Sequence, residues 1–343
     1  GLQLGPVIDK VHKSLSQALS RGIYPPGSKM PTRMALMEKY NIARASTDKV
    51  IRQLVEEGIL SSSQGAGTYV VDKQLHQPHI FVILNTETKC AEANSFQTKL
   101  SLMLSDLSEN MKHSIVASHD LEKHFHHILE NSNSRVIWSR PSIKCYGYID
   151  SLQKADKAQI LVNRSLPSYN FVSTDTYSAL MEVFQLISES KKRANFGLIA
   201  PPLDLEESFL AEREVYFHQM IYEHSGNLNF MGRVKSKSAV EVMRVIRLAL
   251  EQVEKLDYLF VPDFSMLPFV IALAAERGIV LGEDLELITI DWQDETKGVI
   301  CIKQNWDKMF REAVKWARSD QEEPLHQFIT PDILCDKTLT LES

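Results

Sequence analysis

The chain has 343 residues and a mass of 39.0 kDa, 44% hydrophobic and 24% charged, which suffices for two domains and excludes a disordered or collagen-like chain. The longest apolar stretch, Tyr258 to Ala275, is interrupted by Pro262, Asp263 and Pro268, and no charged-then-apolar leader opens the sequence, so the expectation is a cytoplasmic protein with no membrane partner. The net charge of −6 is unevenly spread: residues 1–72 carry nine Lys or Arg against six acids, net +3, which leaves 29 against 38, net −9, for the remainder. A small basic head on a larger acidic body is the pattern of a nucleic-acid-binding module joined to a non-binding domain.

From Pro6 to Leu19, Val7, Val11, Leu15 and Leu19 recur every four residues, which predicts an amphipathic helix ended by Gly22 and the turn Tyr24-Pro25-Pro26-Gly27. A second helix is expected after Pro31, with Leu36, Met37 and Tyr40 inward, stopping at Asn41, a residue that tolerates left-handed backbone. A third runs from Arg44 to Glu57, with Val50, Ile51 and Leu54 inward and Gly58 closing it. Two short helices so spaced, the second presenting Arg44, Ser46, Thr47 and Lys49 at its start, form the geometry that places a helix N-terminus in the major groove. Residues 61–71, SSSQGAGTYVV, then supply a β-hairpin wing with Gly65 and Gly67 at its tip.

The run GIYPPGSKMPTRMALMEKYNIARASTDKVIRQLVEEGILSSSQGAGTYVV resembles the DNA-binding head of GntR-type bacterial transcriptional regulators. The resemblance rests on the G-x-Y-x-P-G approach, Met30-Pro31-Thr32, Arg44, the L-x-x-x-G-I at Leu54 to Ile59 and the G-x-G-T-Y-V wing. It implies DNA contacts by Arg44, Thr32, Ser46 and the wing residues Gln64 and Gly65; Lys49 and Arg33 join them by proximity. The chain departs from the family in having Arg33-Met34 where Glu-Arg is usual, Asp48 where a second arginine is common, and Ala43 where a serine would cap the recognition helix.

After a polar linker, residues 73–79, apolar runs alternate with helical periods. Strands are predicted at 80–84, 114–117, 135–138, 159–162, 195–199, 259–261 and 286–290, and helices at 176–190 and 238–254. Alternation of this kind predicts an α/β body with parallel sheets flanked by helices.

The body from Ile80 to Leu341 resembles the LacI/GalR version of the periplasmic-binding-protein fold, and head and body together look like the arabinose-repressor branch of the GntR group. The matching segments are Val162-Asn163-Arg164, Val172-Ser173-Thr174-Asp175, Arg213-Glu214-Val215-Tyr216-Phe217 and YLFVPDFSMLPFVIALAAERGIVLGEDLELITID. The resemblance implies a bilobed effector domain over 80–343, with lobe 1 at 80–166 and 298–326 and lobe 2 at 167–297 and 327–343. It implies effector contacts by Asp175, Arg213 and Asp291, two carboxylates and a guanidinium suited to a polyhydroxylated ligand. Trp292, Phe264 and Trp138, at predicted strand ends, are candidates to stack on a sugar ring or to serve as core. Pro262, Tyr216, Met266 and Pro268 stand where the family has Asn, Gly, Ala and Gly, which points to a remodelled pocket.

Cys90, Cys145, Cys301 and Cys335 are widely spaced, without a CxxC pair, and His119, His124, His126 and His127 lack a partner helix of carboxylates, so neither a metal nor a cofactor is expected. No G-x-S-x-G, HExxH or P-loop occurs, which argues against an enzyme. The combined expectation is a dimeric, ligand-responsive DNA-binding regulator, a repressor reading a pseudo-palindromic duplex operator and sensing a sugar. The alternatives are a purine or phosphorylated effector, or an enzyme tethered by its head.

Overall fold

The computed structural model describes residues 5–72, 78–86, 100–106, 112–131, 133–204, 208–319 and 323–335. The chain divides into two compact units, a head through Pro78 and a body from His79.

In the head, α1 (Pro6–Ser20), α2 (Arg33–Tyr40) and α3 (Arg44–Glu56) precede a hairpin of β1 (Leu60–Ser63) and β2 (Gly67–Val70). Val11, Leu15, Met30, Leu36, Val50, Ile51, Leu54, Leu60 and Val70 form one apolar core, so each helix buries a single stripe and the hairpin closes the remaining side. Asn41 takes left-handed backbone (φ 50°) to turn α2 into α3, and Gly58 (φ 73°) does the same between α3 and β1.

The body holds two six-stranded sheets. The first has the order β13-β7-β6-β5-β3-β4, with β3 at His79–Leu84, β4 at Lys112–Ala117, β5 at Ser134–Ser139, β6 at Ala158–Val162, β7 at Asn170–Thr174 and β13 at His326–Ile329. The second has the order β14-β12-β11-β10-β8-β9, with β8 at Asn195–Ala200, β9 at Asn227–Arg233, β10 at Tyr258–Val261, β11 at Glu286–Ile290, β12 at Val299–Lys303 and β14 at Asp332–Leu334. Pairing is parallel from β13 through β3 and from β12 through β9, while edge strand β14 is antiparallel to β12.

Two-residue periodicity divides each buried strand between two helical layers. In the second sheet, Phe196 and Leu198 of β8, Tyr258 and Phe260 of β10, and Ile288 and Ile290 of β11 pack toward α7 (Thr176–Ser190) and α8 (Ser208–Glu223). The alternating residues Ile199, Leu259, Val261 and Leu287 pack toward α9 (Ala239–Leu250) and α10 (Leu267–Glu276). Burial on both faces is why these strands read as unbroken apolar runs, each fully buried Leu, Ile or Phe contributing roughly 1.5–3 kcal/mol. In the first sheet, Phe81, Val136, Trp138 and Leu161 meet α5 (Leu121–Glu130) and α6 (Tyr146–Lys154). Its other face is covered by α11 (Trp306–Arg318), which buries Met309, Phe310, Ala313, Val314 and Ala317. A further helical segment, α4, spans residues 100–106.

All seven predicted strands are present, and the 176–190 helix has its predicted bounds. The 238–254 helix stops at Leu250 and continues as a short 3-10 turn. The lobe boundaries require correction. Val172 of β7 pairs with Val162 of β6, and Phe328 of β13 pairs with Ser173, so 170–174 and 326–329 belong to the first sheet; 299–303 belong to the second. The chain therefore crosses between lobes after Thr174, between Lys303 and Trp306, and between Ile329 and Asp332. The lobe boundary expected after residue 166 falls at a turn within the first lobe.

Cys145, Cys301 and Cys335 are thiols rather than disulfides, and Cys90 lies outside the described residues, as does most of the predicted linker. Among the described residues no helix is long and apolar enough to cross a membrane.

Gly298 marks the tightest backbone approach: at φ 75°, an added Cβ would lie 2.3 Å from the Gly282 nitrogen and 2.5 Å from the Leu281 carbonyl carbon. Gly298→Ala is predicted to destabilise the body by on the order of 2–5 kcal/mol, combining left-handed strain with overlap that rigid backbone cannot relieve. Urea denaturation monitored by tryptophan fluorescence checks this, and an unchanged midpoint would contradict it.

Candidate functional site

Two sites follow from these folds. On the head, α3 presents Arg44, Ala45, Lys49 and Arg52 to solvent while its opposite face is core. Among the described residues neither Arg44 nor Lys49 has an ion-pair partner. The α3 N-cap, Ala43, offers no side-chain acceptor, so the first backbone N–H groups of the helix lack a side-chain cap and its positive end is available to an anion. Gln64 and Gly65 are exposed at the tip of the hairpin, where Gly65 adopts φ 84°.

Other predicted DNA contacts have structural duties. Thr32 caps α2, its hydroxyl oxygen accepting from the Ala35 N–H at 3.2 Å, and remains exposed. Arg33 donates from Nε to Asp48 at 2.9 Å and from Nη1 to Thr68 at 3.1 Å, linking α2 to α3 and to the wing. Asp48, standing where the family has a second arginine, is the counter-charge of that clamp. Ser46 is half-buried. Thr47 is corrected: it is 2% exposed and donates to the Ala43 carbonyl, so its side chain belongs to the core. Position at a helix start does not decide which way a residue faces, and Thr47 falls on the stripe of Val50, Ile51 and Leu54.

The second site lies between the lobes of the body. A cavity of about 420 Å³ opens at the carboxyl ends of β6 and β7, lined from the first lobe by Tyr146, Asn163, Arg164 and Thr174 and from the second by Thr176, Phe209, Glu212 and Arg213. This is where open parallel sheets place their ligands. Three non-glycine residues directly after strands, Arg140 (φ 49°), Asn163 (φ 62°) and Asp291 (φ 62°), hold left-handed backbone that turns the chain at the strand ends.

The lobes are joined at the cavity floor by Gln304, which is 7% exposed. Its Oε1 accepts from Asn163 Nδ2 at 2.9 Å and Thr174 Oγ1 at 2.7 Å, while its Nε2 donates to Asp291 Oδ2 at 2.5 Å and its backbone N–H to Asp291 Oδ1 at 2.9 Å. Above it, the guanidinium of Arg164 lies 4.8 Å from the Phe209 ring centroid and that of Arg213 lies 5.0 Å from the same ring. Burial pulls the Arg164 pKa down to about 10; the neighbouring Tyr146 opposes this, while Arg140 and Arg213 add to it. Burial also lowers Arg213, against the pull of Asp291 and Asp263. Tyr216 is pushed up to about 12 by burial and by its hydrogen bond to Glu212.

Of the predicted effector residues, Arg213 lines this cavity, and Asp175 sits beside it as the N-cap of α7, accepting from the Ser178 N–H. Asp291 lies on the other side of Gln304, lining a second cavity of about 490 Å³ with Trp306 and Phe310. The aromatics fall elsewhere. Trp138 is corrected: it is 1% exposed, in the core under α5 and α6, its Nε1 donating to Gln159. Trp292 packs on the α9 and α10 layer and donates to Thr296, and Phe264 sits in a 3-10 turn, so neither lines a cavity described here. Sequence reasoning missed Arg164, Phe209, Gln304 and Arg140. The signal for Phe209 was its i, i+4 spacing from Arg213, which puts both on one helical face.

Residues 8–70 match the family model described as bacterial regulatory proteins, gntR family. The head is a GntR-type helix-turn-helix domain. Among curated relatives, the mannosyl-D-glycerate transport/metabolism system repressor MngR of Escherichia coli K12 is 31% identical over 87 residues, 25% of this chain and 36% of that protein. The chain spans about a third of the length of the curated relatives it matches. Among solved structures, a LacI family transcription regulator from Clostridium acetobutylicum superimposes with a TM-score of 0.61 at 18% identity, over 75% of this chain and 99% of that one. The transcriptional regulator CelR in complex with cellobiose gives 0.60 at 13%, over 85% and 90%. At these identities the likeness establishes the fold: the body is built like LacI-type regulators and periplasmic binding proteins.

The GntR-type head thus separates a clamp arginine from a surface arginine. Arg33→Ala is predicted to lower head stability by about 1 kcal/mol through loss of a part-buried pair, whereas Arg44→Ala stays within about 0.5 kcal/mol of the parent. Thermal unfolding of the two variants checks the contrast, and equal shifts would contradict it.

Proposed function

We propose that this chain is a ligand-responsive regulator of transcription. Its GntR-type head binds duplex DNA, and the cleft of its body binds a small polyhydroxylated molecule that alters the head's affinity for its operator. The observation that carries this reading is the union in one chain of a helix-turn-helix whose recognition helix exposes Arg44 and Lys49, without an ion-pair partner among the described residues, and a bilobed domain with a cavity at its strand ends. The names of similar proteins support it: one is a repressor of mannosyl-D-glycerate metabolism and another is a regulator in complex with cellobiose. A sugar or sugar derivative is therefore the ligand class we assign.

We read the chain as a homodimer acting as a repressor, since two heads on a two-fold axis match a pseudo-palindromic site. The cleft holds its ligand rather than converting it, because its polar residues are placed to grip: guanidiniums on an aromatic ring above an amide that ties the lobes. A ligand bridging both lobes binds the closed form better than the open one, and only such a difference in affinity shifts the equilibrium that the head reports.

Selection from a random duplex DNA pool by the full chain tests the reading. The wild type is expected to enrich a two-fold symmetric sequence, and Arg44→Ala is expected to weaken binding to it by at least about tenfold with a shallower salt dependence. Failure to enrich any sequence, or equal retention by Arg44→Ala, would contradict it.

A further inference from the structure

We propose that the ligand of the cleft carries an anionic oxygen group, a carboxylate or a phosphate on a polyhydroxylated frame, gripped between Arg164 of the first lobe and Arg213 of the second. The inference deepens the regulator reading and rests on its assignment of the cleft as the effector site.

The geometry calls for an anion. Two guanidiniums reach the same ring, Phe209, from opposite lobes, and the described charged residues of the cavity wall are these two arginines and Glu212. Arg164 donates from Nη1 to the Asn163 carbonyl at 2.6 Å, and Arg213 from Nη1 to the Pro262 carbonyl at 3.0 Å. A guanidinium has five N–H donors, so each retains several for a ligand. Among the described residues neither arginine has a carboxylate within ion-pair distance.

The nearby acids are committed elsewhere. Asp291 accepts from Gln304 and Trp306, and Asp263 accepts from Ser265 and pairs with Lys237 at 3.0 Å. Asp175 caps α7, and Glu212 accepts from the Tyr216 hydroxyl. A third cation, Arg140, lies 5.6 Å from the Trp306 ring centroid and acts electrostatically on both cleft arginines.

Like charges held near one another and out of water repel; burial does most to lower the Arg164 pKa, and Arg140 and Arg213 add to it. An oxyanion between the arginines reverses the sign of this interaction. Bidentate guanidinium forks fit the oxygens of a carboxylate or phosphate, and one anion held from both sides draws the lobes together. The rest of the wall carries the Ser165 and Thr176 hydroxyls, which suit a frame of hydroxyl groups.

The test is calorimetric titration and thermal shift on the full chain with matched probes: D-glucose against D-gluconate and D-glucose 6-phosphate, D-galactose against D-galacturonate, and inorganic phosphate alone, all at constant ionic strength set with chloride. The expected result is that at least one charged member binds about tenfold or more tighter than its neutral parent, in keeping with one charge-assisted fork. Arg164→Gln is expected to collapse that preference to within about twofold, and Arg164→Lys, which keeps the charge without the fork, to retain part of it. A cooperative thermal transition followed by the tryptophans, all four of which lie in the body, shows that the Arg164→Gln variant is folded.

A neutral parent that binds as tightly as its charged partners would overturn the proposal, as would charged probes and phosphate that leave the midpoint where chloride leaves it. A gluconate preference with no phosphate response assigns the anion as a carboxylate; the reverse assigns a phosphate. A neutral sugar that fills the cleft of an operator-binding chain would end the anion claim and leave the regulator reading standing, whereas failure of the wild type to select DNA would end the regulator reading alone.

Discussion

The body depends on one buried side chain. The Gln304 amide is shared between lobes: its oxygen is held by Asn163 and Thr174 at strand ends of the first sheet, and its nitrogen by Asp291 at a strand end of the second. An amide is suited to this position because it offers acceptor and donor at once, and any apolar replacement would leave a carboxylate, an amide and a hydroxyl competing for partners. The three crossings of the chain and this shared amide leave the lobes joined at their strand ends, so a ligand above Gln304 meets groups from both. The left-handed residues Asn163 and Asp291 belong to the same device, since each is tied to Gln304 at the turn leaving its strand.

The aromatic ring of Phe209 plays the corresponding part at the top of the cleft. It gives two guanidiniums a common platform without neutralising either. The floor is thus satisfied within the protein, while the roof carries charge without an ion-pair partner among the described residues. That contrast is what distinguishes a structural polar network from a recognition surface, and it separates the duties of Arg33 and Arg44 in the head as well: the first is clamped to Asp48 and Thr68, the second reaches solvent.

Much of the fold was legible because its strands are buried on both faces. Ile80 to Leu84 and Glu286 to Ile290 read as apolar runs, and the helices of the head follow plain four-residue stripes. Val299–Lys303 shares this signature and still escaped, whereas two other missed strands lack it. In Asn227–Arg233 exposed and half-buried residues alternate at a sheet edge, and in Asn170–Thr174 the apolar core shortens to Phe171 and Val172 between polar ends. The boundary misplaced after residue 166 follows from missing that second strand. In the site, the family resemblance pointed to Arg213, which lines the cavity, and helix position to the exposed face at Arg44. It misjudged Thr47 and Trp138, because a place at the end of an element carries no information on which side of the element a residue faces. Arg164, Phe209 and Gln304 meet only through tertiary packing, across 140 residues of sequence between the first and the last, and no local spacing links them.

In the proposed function, a DNA-binding head is coupled to a sensing cleft through a difference in ligand affinity between two states of one body. Coupling of this kind is reciprocal and amounts to about 5- to 150-fold in regulated systems. The most direct measurement is the dissociation constant for the selected operator across a titration of a cleft ligand. The account predicts a change within that range, saturating at the ligand concentration that saturates the cleft. An operator affinity that stays flat while the cleft fills would contradict it.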